Sequence, residues 1–444
     1  MKTPVPAPSV VDVAASMTGV APQELVELLT MPVDDSAYLH WDKLRHKTPP
    51  DRLTHEQWWF LLKSSRQRIA RELPIRDKEG RPFTYVLTDR IIRVCEDVAQ
   101  RAGGRIRLPE VVTRPRTRNE YVVSSLIEEA ITSSQLEGAS TSRAVAKELL
   151  RSGRAPRSKS ERMIVNNYRA MQFVREIVDQ ELSPELVCEV HRIVTDGTLD
   201  DPADAGRLDR PGRDRVAVYG EDDQLLHMPP PAEELPQRLD ALCRFANARD
   251  GEGPYLSPVV RAVVVHFMLG YDHYFADGNG RTARALFYWC MLRNGYWLTE
   301  FLTISTILKK APSKYSFAYL LTEDDDGDLT YFIHFHLDVV QRALDELESY
   351  LERKVVELRT VRETLDLARD DYSHRQVQVL ESAVEDPGYS TTVKDFARRF
   401  AVSDETARQD LNELVDRGLL TKSRRGKQFV WTPIHDLSKR LGKG

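Results

Sequence analysis

Residues 273–284 combine residue types that could bind a nucleotide and move a proton. The stretch reads His-Tyr-Phe-Ala-Asp-Gly-Asn-Gly-Arg-Thr-Ala-Arg, with an imidazole at His273 and a hard-metal ligand at Asp277. A Gly-x-Gly turn lets successive backbone N–H groups converge on an anion, and a helix that starts there adds its positive end. Arg281 and Arg284 are spaced i, i+3, so they point to one side of the first helical turn. The spacing predicts a phosphate cradle with a metal carboxylate on its rim and a proton acceptor just upstream.

Two helical patterns must position this motif. The most apolar segment of the chain, residues 258–270, contains Arg261 and His266 and is too short to span a bilayer. It predicts a buried central helix that delivers the chain directly to the motif. Residues 282–294 are apolar at helical spacing and predict a second helix, which Gly295 ends.

The motif resembles the signature of the Fic (Fic/Doc) family, His-x-Phe-x-(Asp/Glu)-Gly-Asn-Gly-Arg-x-x-Arg, and all eight specified positions are filled. The resemblance implies a mainly α fold, a Fic-type helical bundle with a β-hairpin flap. It also implies a protein adenylyltransferase, which moves AMP from ATP to a Ser, Thr or Tyr hydroxyl of a target protein and releases pyrophosphate. By this resemblance His273 would be the general base, Phe275 would bury the loop, and Asp277 would hold Mg²⁺. Phosphate binding would fall to the remaining motif residues, with the anion nest formed by Gly278, Asn279 and Gly280, the β-phosphate held by Arg281 and the γ-phosphate held by Arg284.

A second segment resembles the inhibitory motif of Fic proteins that an N-terminal helix regulates. Residues 119–138 predict one helix, and its end reads Ser133-Ser-Gln-Leu-Glu137-Gly138, matching (Ser/Thr)-x-x-x-Glu-(Gly/Asn). Ser133 and Glu137 lie i, i+4 on one face. A carboxylate that forks onto Arg284 would occupy the guanidinium that the γ-phosphate needs, because Arg–carboxylate pairing is bidentate and directional. The resemblance therefore implies autoinhibition by Glu137.

The segment 214–231 predicts a β-hairpin, with strands at 215–219 and 224–228 around a polar turn. It resembles the target-docking flap of the family, whose edge suits the addition of a partner's extended segment as another strand. We expect it to be the only β-structure in the first 370 residues. The acidic stretch 323–328 fails the spacing of a calcium loop and predicts a cap for a helix that starts at Thr330.

The C-terminal part resembles a winged helix-turn-helix. Helices are predicted at 375–384, from a cap at Thr391 or Thr392, and at 404–417, followed by a basic hairpin with Arg424, Arg425, Gly426 and Lys427 at its tip. Such modules place the second helix of the motif in the major groove while the wing meets phosphates. That helix carries five acidic residues, and only Arg408 and Gln409 suit bases or phosphates. DNA binding, protein docking and dimerisation as a homodimer all remain open.

Composition sets the class of the protein. Its 444 residues are 41% hydrophobic and 30% charged, which is typical of a soluble globular chain of two to three domains. The four cysteines are scattered without a Cys-x-x-Cys pair, which argues against a zinc site and favours a reducing cytoplasm. The net charge is −5, but residues from His374 onward carry +3. No secretory signal or membrane segment is expected.

The predicted organisation has four parts. Residues 1–118 form an N-terminal helical region, whose proline-rich start contains a short amphipathic piece at 23–29 and has no assigned role. Residues 119–335 form the Fic core, 336–372 a long helix and linker, and 373–434 the winged helix. Two other functions stay open. One is a hydrolase that removes AMP from proteins, with Glu137 positioning water, and the other is a DNA-binding regulator whose core senses ATP. The family branch that transfers a phosphoryl group carries a Lys at the position of Gly280, which argues against that reaction.

Overall fold

The computed structural model describes residues 3–16, 34–50, 53–103, 115–212, 214–220, 224–249, 251, 254–367, 371–385, 389–425, 428–434 and 436–441. The predicted amphipathic piece at 23–29, the flap turn at 221–223 and the wing residues Gly426 and Lys427 lie outside this part of the chain. The chain divides into two compact units, a first unit of residues 1–105 and 126–344 and a second unit of residues 106–125 and 345–444.

The fold is mainly helical, as the sequence predicts. Most helices start where the sequence supplies a capping residue; Ser183, for example, accepts from the backbone N–H of Leu186, and Pro184 follows at the first helical position. The described helices are α1 (Val10–Ser16), α2 (Trp41–Leu44), α3 (His55–Ile69), α4 (Asp89–Ala102), α5 (Pro115–Leu136), α6 (Arg143–Ser152), α7 (Lys159–Glu176), α8 (Pro184–Thr195), α9 (Leu235–Asn247), α10 (Pro258–Tyr271), α11 (Asn279–Arg293), α12 (Ile304–Lys310), α13 (Pro312–Asp324), α14 (Thr330–Leu367), α15 (His374–Glu385), α16 (Val393–Phe400), α17 (Asp404–Asp416) and α18 (Leu437–Leu441).

Helices α10 and α11 pack against each other at the centre of the first unit. Every residue of α10 from Val259 to Leu269 is buried, as expected for a helix that is apolar all round. Helix α11 is also buried over most of its length, with Trp289 fully enclosed. The connection between the two helices, residues 272–278, is called the motif loop below. Because both of its ends leave rigid core helices, the motif loop has little freedom to move.

The first unit contains a hairpin that the sequence does not predict. Strand β1 (Arg71–Arg76) pairs antiparallel with β2 (Pro82–Tyr85). The expectation that the flap holds all the β-structure of the first 370 residues is therefore wrong. The misleading residue is Pro74, since a proline inside a run argues against a strand. Here it is tolerated in a two-stranded hairpin, whose alternate residues Leu73, Ile75, Phe83 and Tyr85 are buried.

The acidic stretch 323–328 caps α14, because Asp328 Oδ1 accepts from the backbone N–H of Thr330 at 2.9 Å. It is also a buried junction. Asp325 is 2% exposed and pairs with Lys63 of α3, and the hydroxyl of Tyr38 donates to Asp328 at 2.6 Å. These carboxylates therefore hold the N-terminal helices of the first unit to the start of α14.

The second unit contains a winged helix-turn-helix. Thr392 caps α16 and Ser403 caps α17, and Ala401 makes the turn between them at φ +50°. Strands β5 (Leu420–Arg425) and β6 (Gln428–Pro433) form the wing hairpin. The inward faces of α17 and the wing share one apolar core, which includes Ala407, Leu411, Leu414 and Trp431.

Candidate active site

Helix α11 begins in the Gly-x-Gly turn, as the phosphate-cradle pattern predicts, and three residues before the apolar stretch at 282–294. Gly278 precedes it at φ +87°, and the first helical residue is Asn279. An L side chain at position 278 would be strained at this φ, and its Cβ would come 2.6 Å from a methyl carbon of Thr195. Glycine is therefore required there. Gly280 and Arg281 consequently lie within the first turn, where backbone N–H groups have no acceptor inside the helix.

The side chain of Asn279 fastens the motif loop to the start of α11. Its Oδ1 accepts from the backbone N–H of Phe275 at 3.0 Å, and its Nδ2 donates to the Phe275 carbonyl at 2.6 Å. Phe275 is fully buried and stacks on His191 with ring centroids 3.7 Å apart. The family resemblance gives Asn279 to the anion nest. The structure gives its side chain a different task, which leaves only its backbone N–H to face an anion.

His191 on α8 is a residue of the site that the sequence does not reveal. Its Nδ1 accepts from the backbone N–H of Gly206 at 3.0 Å, so Nε2 carries the proton and donates to the Asp277 carbonyl at 2.7 Å. Burial lowers the pKa of His191 to about 4, which keeps the ring neutral at pH 7. The available signal was weak, since His191 follows Val187 by one helical turn on the apolar face of α8.

His273 has an unusual backbone conformation, with φ at +50°. Its Nδ1 lies 3.3 Å from the Gly270 carbonyl, and because a carbonyl only accepts, Nδ1 carries the proton and Nε2 keeps its lone pair. Burial lowers the pKa of His273, and the charges of His227 and Arg215 lower it further. The Gly270 carbonyl and the Glu137 carboxylate oppose this shift. At neutral pH the imidazole can therefore accept a proton.

Arg281 is a buried cation with hydrogen-bonding capacity to spare. It is 1% exposed, its Nη1 donates to the Val194 carbonyl at 3.0 Å, and its Nη2 lies 3.5 Å from Asp277 Oδ2. Its Nε has no partner among the described residues. Burying a guanidinium costs free energy unless its hydrogen bonds are satisfied, so an anion at the first turn of α11 would stabilise this side chain.

Asp277 is the open carboxylate of the site, because half of its side chain (53%) is exposed. Its Oδ1 accepts from the backbone N–H of Gly278 at 2.6 Å. No cluster of three or more metal-ligating side chains occurs among the described residues. A single carboxylate nevertheless fits Mg²⁺, which prefers one or two carboxylates together with substrate phosphates and water. Asp277 could hold Mg²⁺ only beside a phosphate-bearing ligand.

Arg284 is the second buried guanidinium, and α5 supplies its partners. Its Nε donates to Ser133 Oγ at 2.8 Å, and its Nη2 donates to the Ser133 carbonyl at 3.1 Å and to Glu137 Oε1 at 2.7 Å. The sequence predicts a carboxylate that forks onto Arg284. In the structure one carboxylate oxygen, Oε1, bonds to Arg284, and Ser133 makes the other two contacts, so the carboxylate does not fork onto the guanidinium.

Polar contacts with α12 fix the orientation of α5. The carboxylate of Glu129 is 1% exposed and accepts from the backbone N–H of Ser305 at 3.1 Å and from its hydroxyl. Burial raises the pKa of Glu129. Further along α5, Lys309 donates to Gln135 at 2.5 Å. Glu129 precedes Ser133 by four residues, so one helical face bears both the anchor and a contact to Arg284, and Glu137 follows directly after the end of the helix.

The flap is present but shorter than predicted. Strand β3 covers only Val218–Tyr219 and β4 only Leu225–His227, with an irregular register between them. Its outer side chains are exposed, Tyr219 by 59% and Leu225 by 48%. His227 points inward, where its Nε2 donates to the Tyr271 carbonyl at 2.7 Å and its Nδ1 lies 2.8 Å from Glu323. The edge strand beside the motif loop is thus held in place while its outer face stays open.

The surface predicted to contact DNA lies only in part within the described residues. Arg408 and Gln409 are exposed on α17, and Arg408 pairs with Glu405 at 2.7 Å. Asp410, one of the five acidic residues of this helix, turns inward to Arg375 and is buried. The reading face is therefore less acidic than the sequence suggests. Arg424 is exposed on the wing, whereas the side chain of Arg425 and the whole of Lys427 lie outside the described residues.

Two family models match the chain. Residues 181–291 match the Fic/DOC family, a segment that runs from just before α8 almost to the end of α11. Residues 376–430 match the DeoR-like helix-turn-helix domain. No helix in the described part of the chain has the length and apolar character needed to cross a membrane.

Curated relatives and a solved structure are similar to parts of the chain. Protein adenylyltransferase Fic of Nematostella vectensis is 27% identical over 179 residues, which are 40% of this chain and 37% of the relative. The protein of the same name in Drosophila persimilis is 30% identical over 178 residues, 40% of this chain and 31% of the relative. The chain thus matches about a third of the length of these relatives. A Fic family protein from Desulfovibrio desulfuricans G20 shares the fold, with a TM-score of 0.52, 20% identity and coverage of 79% of this chain and 98% of that one.

Proposed function

We propose that this chain, which carries a Fic/DOC domain and a DeoR-like helix-turn-helix domain, transfers AMP from ATP to a Ser, Thr or Tyr hydroxyl of a target protein. The observation that carries the proposal is the convergence of three groups at the start of α11. These are a neutral imidazole at His273, an open carboxylate at Asp277 and a buried, under-bonded guanidinium at Arg281. The relatives named protein adenylyltransferase support the same reaction.

The transfer is an in-line displacement at the α-phosphorus of ATP. The target hydroxyl oxygen forms a bond to this phosphorus, the bond to the bridging oxygen breaks, and pyrophosphate leaves. The hydroxyl proton moves to Nε2 of His273, which is free because Nδ1–H faces the Gly270 carbonyl. Burial and the nearby positive charges keep His273 unprotonated at neutral pH, as a general base must be.

The first turn of α11 receives the leaving phosphates. Backbone N–H groups at Gly280 and Arg281 point at the anion, and the Arg281 guanidinium neutralises the β-phosphate. Asp277 would hold Mg²⁺, whose charge would offset the charge that develops on pyrophosphate. Arg284 holds the γ-phosphate. Its buried position makes this contact strong, because charge pairs are screened little where water is excluded.

Glu137 inhibits this reaction in the resting protein. Its carboxylate occupies Nη2 of Arg284 at 2.7 Å, so ATP meets a carboxylate where its γ-phosphate should bind. Two negative groups cannot share the site without a large cost. ATP is therefore excluded or held in a posture that misplaces the α-phosphate for attack. The contact of Glu137 with Arg284 is called the clamp below, and two neighbouring residues support it. Ser133 binds Arg284, and Gly138 ends the segment with a positive φ of +87°.

The flap positions the target. An extended segment of the target adds to the open edge of the β3–β4 hairpin, with its hydroxyl directed toward His273. The exposed apolar side chains Val218, Tyr219 and Leu225 would cover the side chains that flank the modified residue. Main-chain pairing of this kind accepts many sequences, so the identity of the target depends on these side-chain contacts.

The winged helix places the enzyme on DNA. The exposed Arg408 and Gln409 of α17 face the bases, and the basic wing meets phosphates. An alternative is that the protein is a DNA-binding regulator whose core only senses ATP. The general base His273 argues against it, because a sensor would not need one. The four free cysteines suit a reducing compartment, and we place the protein in the cytoplasm.

A second activity is the removal of AMP from modified proteins. Glu137 favours it, because 30% of its side chain is exposed and its charge reaches His273, so it could orient a water molecule toward the phosphorus. One experiment tests the transfer activity. Wild type and Glu137→Gly are incubated with ATP and Mg²⁺, and their intact masses are measured. Added AMP in Glu137→Gly supports transfer, whereas no added AMP in either protein or in an added proteome counts against it.

A further inference from the structure

Arg215 lies at the start of the flap segment, just before β3, and the sequence gives its side chain no role, yet its guanidinium makes four close contacts. Its Nη2 donates to the carbonyls of Asp272 and His273, both at 2.8 Å. Its Nε donates to the Pro230 carbonyl at 2.8 Å, and its Nη1 pairs with Asp209 at 2.5 Å. The side chains of Arg215 and Asp209 are 9% and 3% exposed. One buried cation therefore joins both ends of the flap to the motif loop.

Asp209 and Arg215 bind three consecutive carbonyls of the motif loop. Arg215 binds those of Asp272 and His273, and the backbone N–H of Asp209 donates to that of Tyr274 at 2.9 Å. His273 needs such support, because a φ of +50° costs free energy in a residue other than glycine and persists only when its surroundings enforce it. Strained backbone of this kind concentrates at functional sites.

We infer that Arg215 is a positioning residue for the general base, which couples the flap that receives the target to the backbone of His273. The inference rests on the proposed AMP transfer. Arg215 touches neither ATP nor the target. It acts by holding the two carbonyls on either side of the His273 Cα, which fixes the direction of the imidazole. When a target strand adds to the flap, it orders the backbone at Pro230 and the side chain of Arg215. Because the same guanidinium binds the carbonyl of His273, this order extends to the backbone of the general base.

The charge of Arg215 also faces His273. The groups that act on this imidazole are Arg215 before β3, His227 on β4, Glu137 after α5 and the Gly270 carbonyl of α10. Arg215 lowers the pKa of His273, so its removal raises that pKa and narrows the pH range in which the base is unprotonated. This effect depends on charge alone, whereas positioning depends on the planar fork of the guanidinium. The two effects can therefore be separated by substitution.

The test compares three full-length variants in the Glu137→Gly background. Arg215→Lys keeps the charge and the pair with Asp209 but cannot reach four acceptors. Arg215→Met removes both charge and fork. Arg293→Lys is the matched control, because Arg293 also donates to two carbonyls, those of Val178 and Gln180, at the far end of α11. The readouts are self-modification with labelled ATP and the midpoint of the His273 imidazole titration by NMR, which needs no activity.

We expect Arg215→Lys to lower the maximal rate on the order of 10- to 100-fold with little change in the KM for ATP, because misplacement of a catalytic group has costs of this size. Its His273 midpoint should match that of the parent. Arg215→Met should lower the rate and raise the midpoint, and Arg293→Lys should change neither. A parental rate in Arg215→Lys, or an unchanged midpoint in Arg215→Met, overturns the inference. Failure of the Glu137→Gly parent to transfer AMP at all refutes the proposed function instead, and the midpoint still tests Arg215.

Discussion

The Glu137 carboxylate lies where a side chain at Gly280 would have to begin. A Cβ built on Gly280 would come 2.2 Å from Glu137 Oε1 and 3.1 Å from Nη1 of Arg284. The absence of a side chain at 280 therefore leaves a space at the first turn of α11 that either this carboxylate or a phosphate can fill. Inhibitor and nucleotide are expected to compete for one space lined by the same arginine.

Glu137→Gly should raise AMP transfer, including self-modification, by about 10²-fold, because it frees Arg284 for the γ-phosphate and corrects the position of the α-phosphate. The rate of label incorporation from ATP measures it. Arg284→Ala should not mimic this activation, since it removes the inhibitory and the productive contact together, and Glu137→Gly/Arg284→Ala should stay slow. An unchanged rate in Glu137→Gly would make Glu137 a bystander.

His273→Ala should lower transfer by about 10²- to 10⁴-fold, the usual effect of removing a general base. ATP affinity should change little, because the base acts on the acceptor hydroxyl and not on the phosphates. Calorimetric titration with ATP and a transfer assay, both in the Glu137→Gly background, measure the two quantities. Transfer at the parental rate would refute the assignment of His273.

The sequence predicts the parts of the site that are contiguous in the chain. The residues at 273–284 and 133–138 stand in short motifs, and the structure brings Arg284 and Glu137 together from 147 positions apart. His191 and Arg215 could not be predicted, because each acts on backbone carbonyls of the motif loop. Any polar side chain with the right reach can bind a carbonyl, so such contacts leave no residue pattern.

The fold shows the same division. Helices with apolar periodicity follow the prediction closely: α10, predicted at 258–270, runs from Pro258 to Tyr271, and α14 begins at Thr330 as predicted. Apolar periodicity alone indicates α11 only from Thr282, because the Gly278-Asn279-Gly280 turn is unfavourable for a helix by local propensity. Asn279 overrides that propensity with two side-chain bonds to Phe275, which only the folded loop provides.

Acid should destabilise the first unit through its buried histidines. Burial lowers the pKa of His191 and His334 to about 4 and of His336 to about 3, while in the unfolded chain their pKa is about 6.5. The unfolded chain therefore binds protons first, and stability is lost as the pH falls from about 6.5 toward 4. At pH 5 each group costs on the order of 2 kcal/mol. Urea unfolding at pH 7 and pH 5 measures this, and His336→Gln should show the smaller difference. An equal difference in both proteins would contradict it.

DNA binding by the winged helix should depend steeply on salt, because released counterions drive phosphate contacts. Neutralising Arg424, Arg425 and Lys427 should lower the slope of log affinity against log salt by about one for each lost contact. Arg417→Gln is the control, since Arg417 pairs with Glu413 on the side of α17 that faces Gln376. Filter binding across a range of salt on genomic fragments measures the slopes. An affinity that does not change with salt concentration, or no binding to any fragment, would favour a protein-docking role for the winged helix.

Glu129→Gln should activate the enzyme by releasing α5, in addition to removing a negative charge that acts on Arg284. The substitution keeps the size of the side chain but weakens its hold on the N–H and hydroxyl of Ser305, which loosens α5 from α12. The released helix acts through the position of Glu137, so Glu129→Gln/Glu137→Gly should transfer AMP no faster than Glu137→Gly alone. Glu128→Gln is the matched control, since its neighbouring carboxylate pairs with Arg143 and Lys147 at the surface. Transfer rates of wild type, Glu129→Gln, Glu137→Gly and the double variant form a double-mutant cycle. Additive effects, or a loss of thermal stability without any gain in transfer, would show that Glu129 serves the fold and not the clamp.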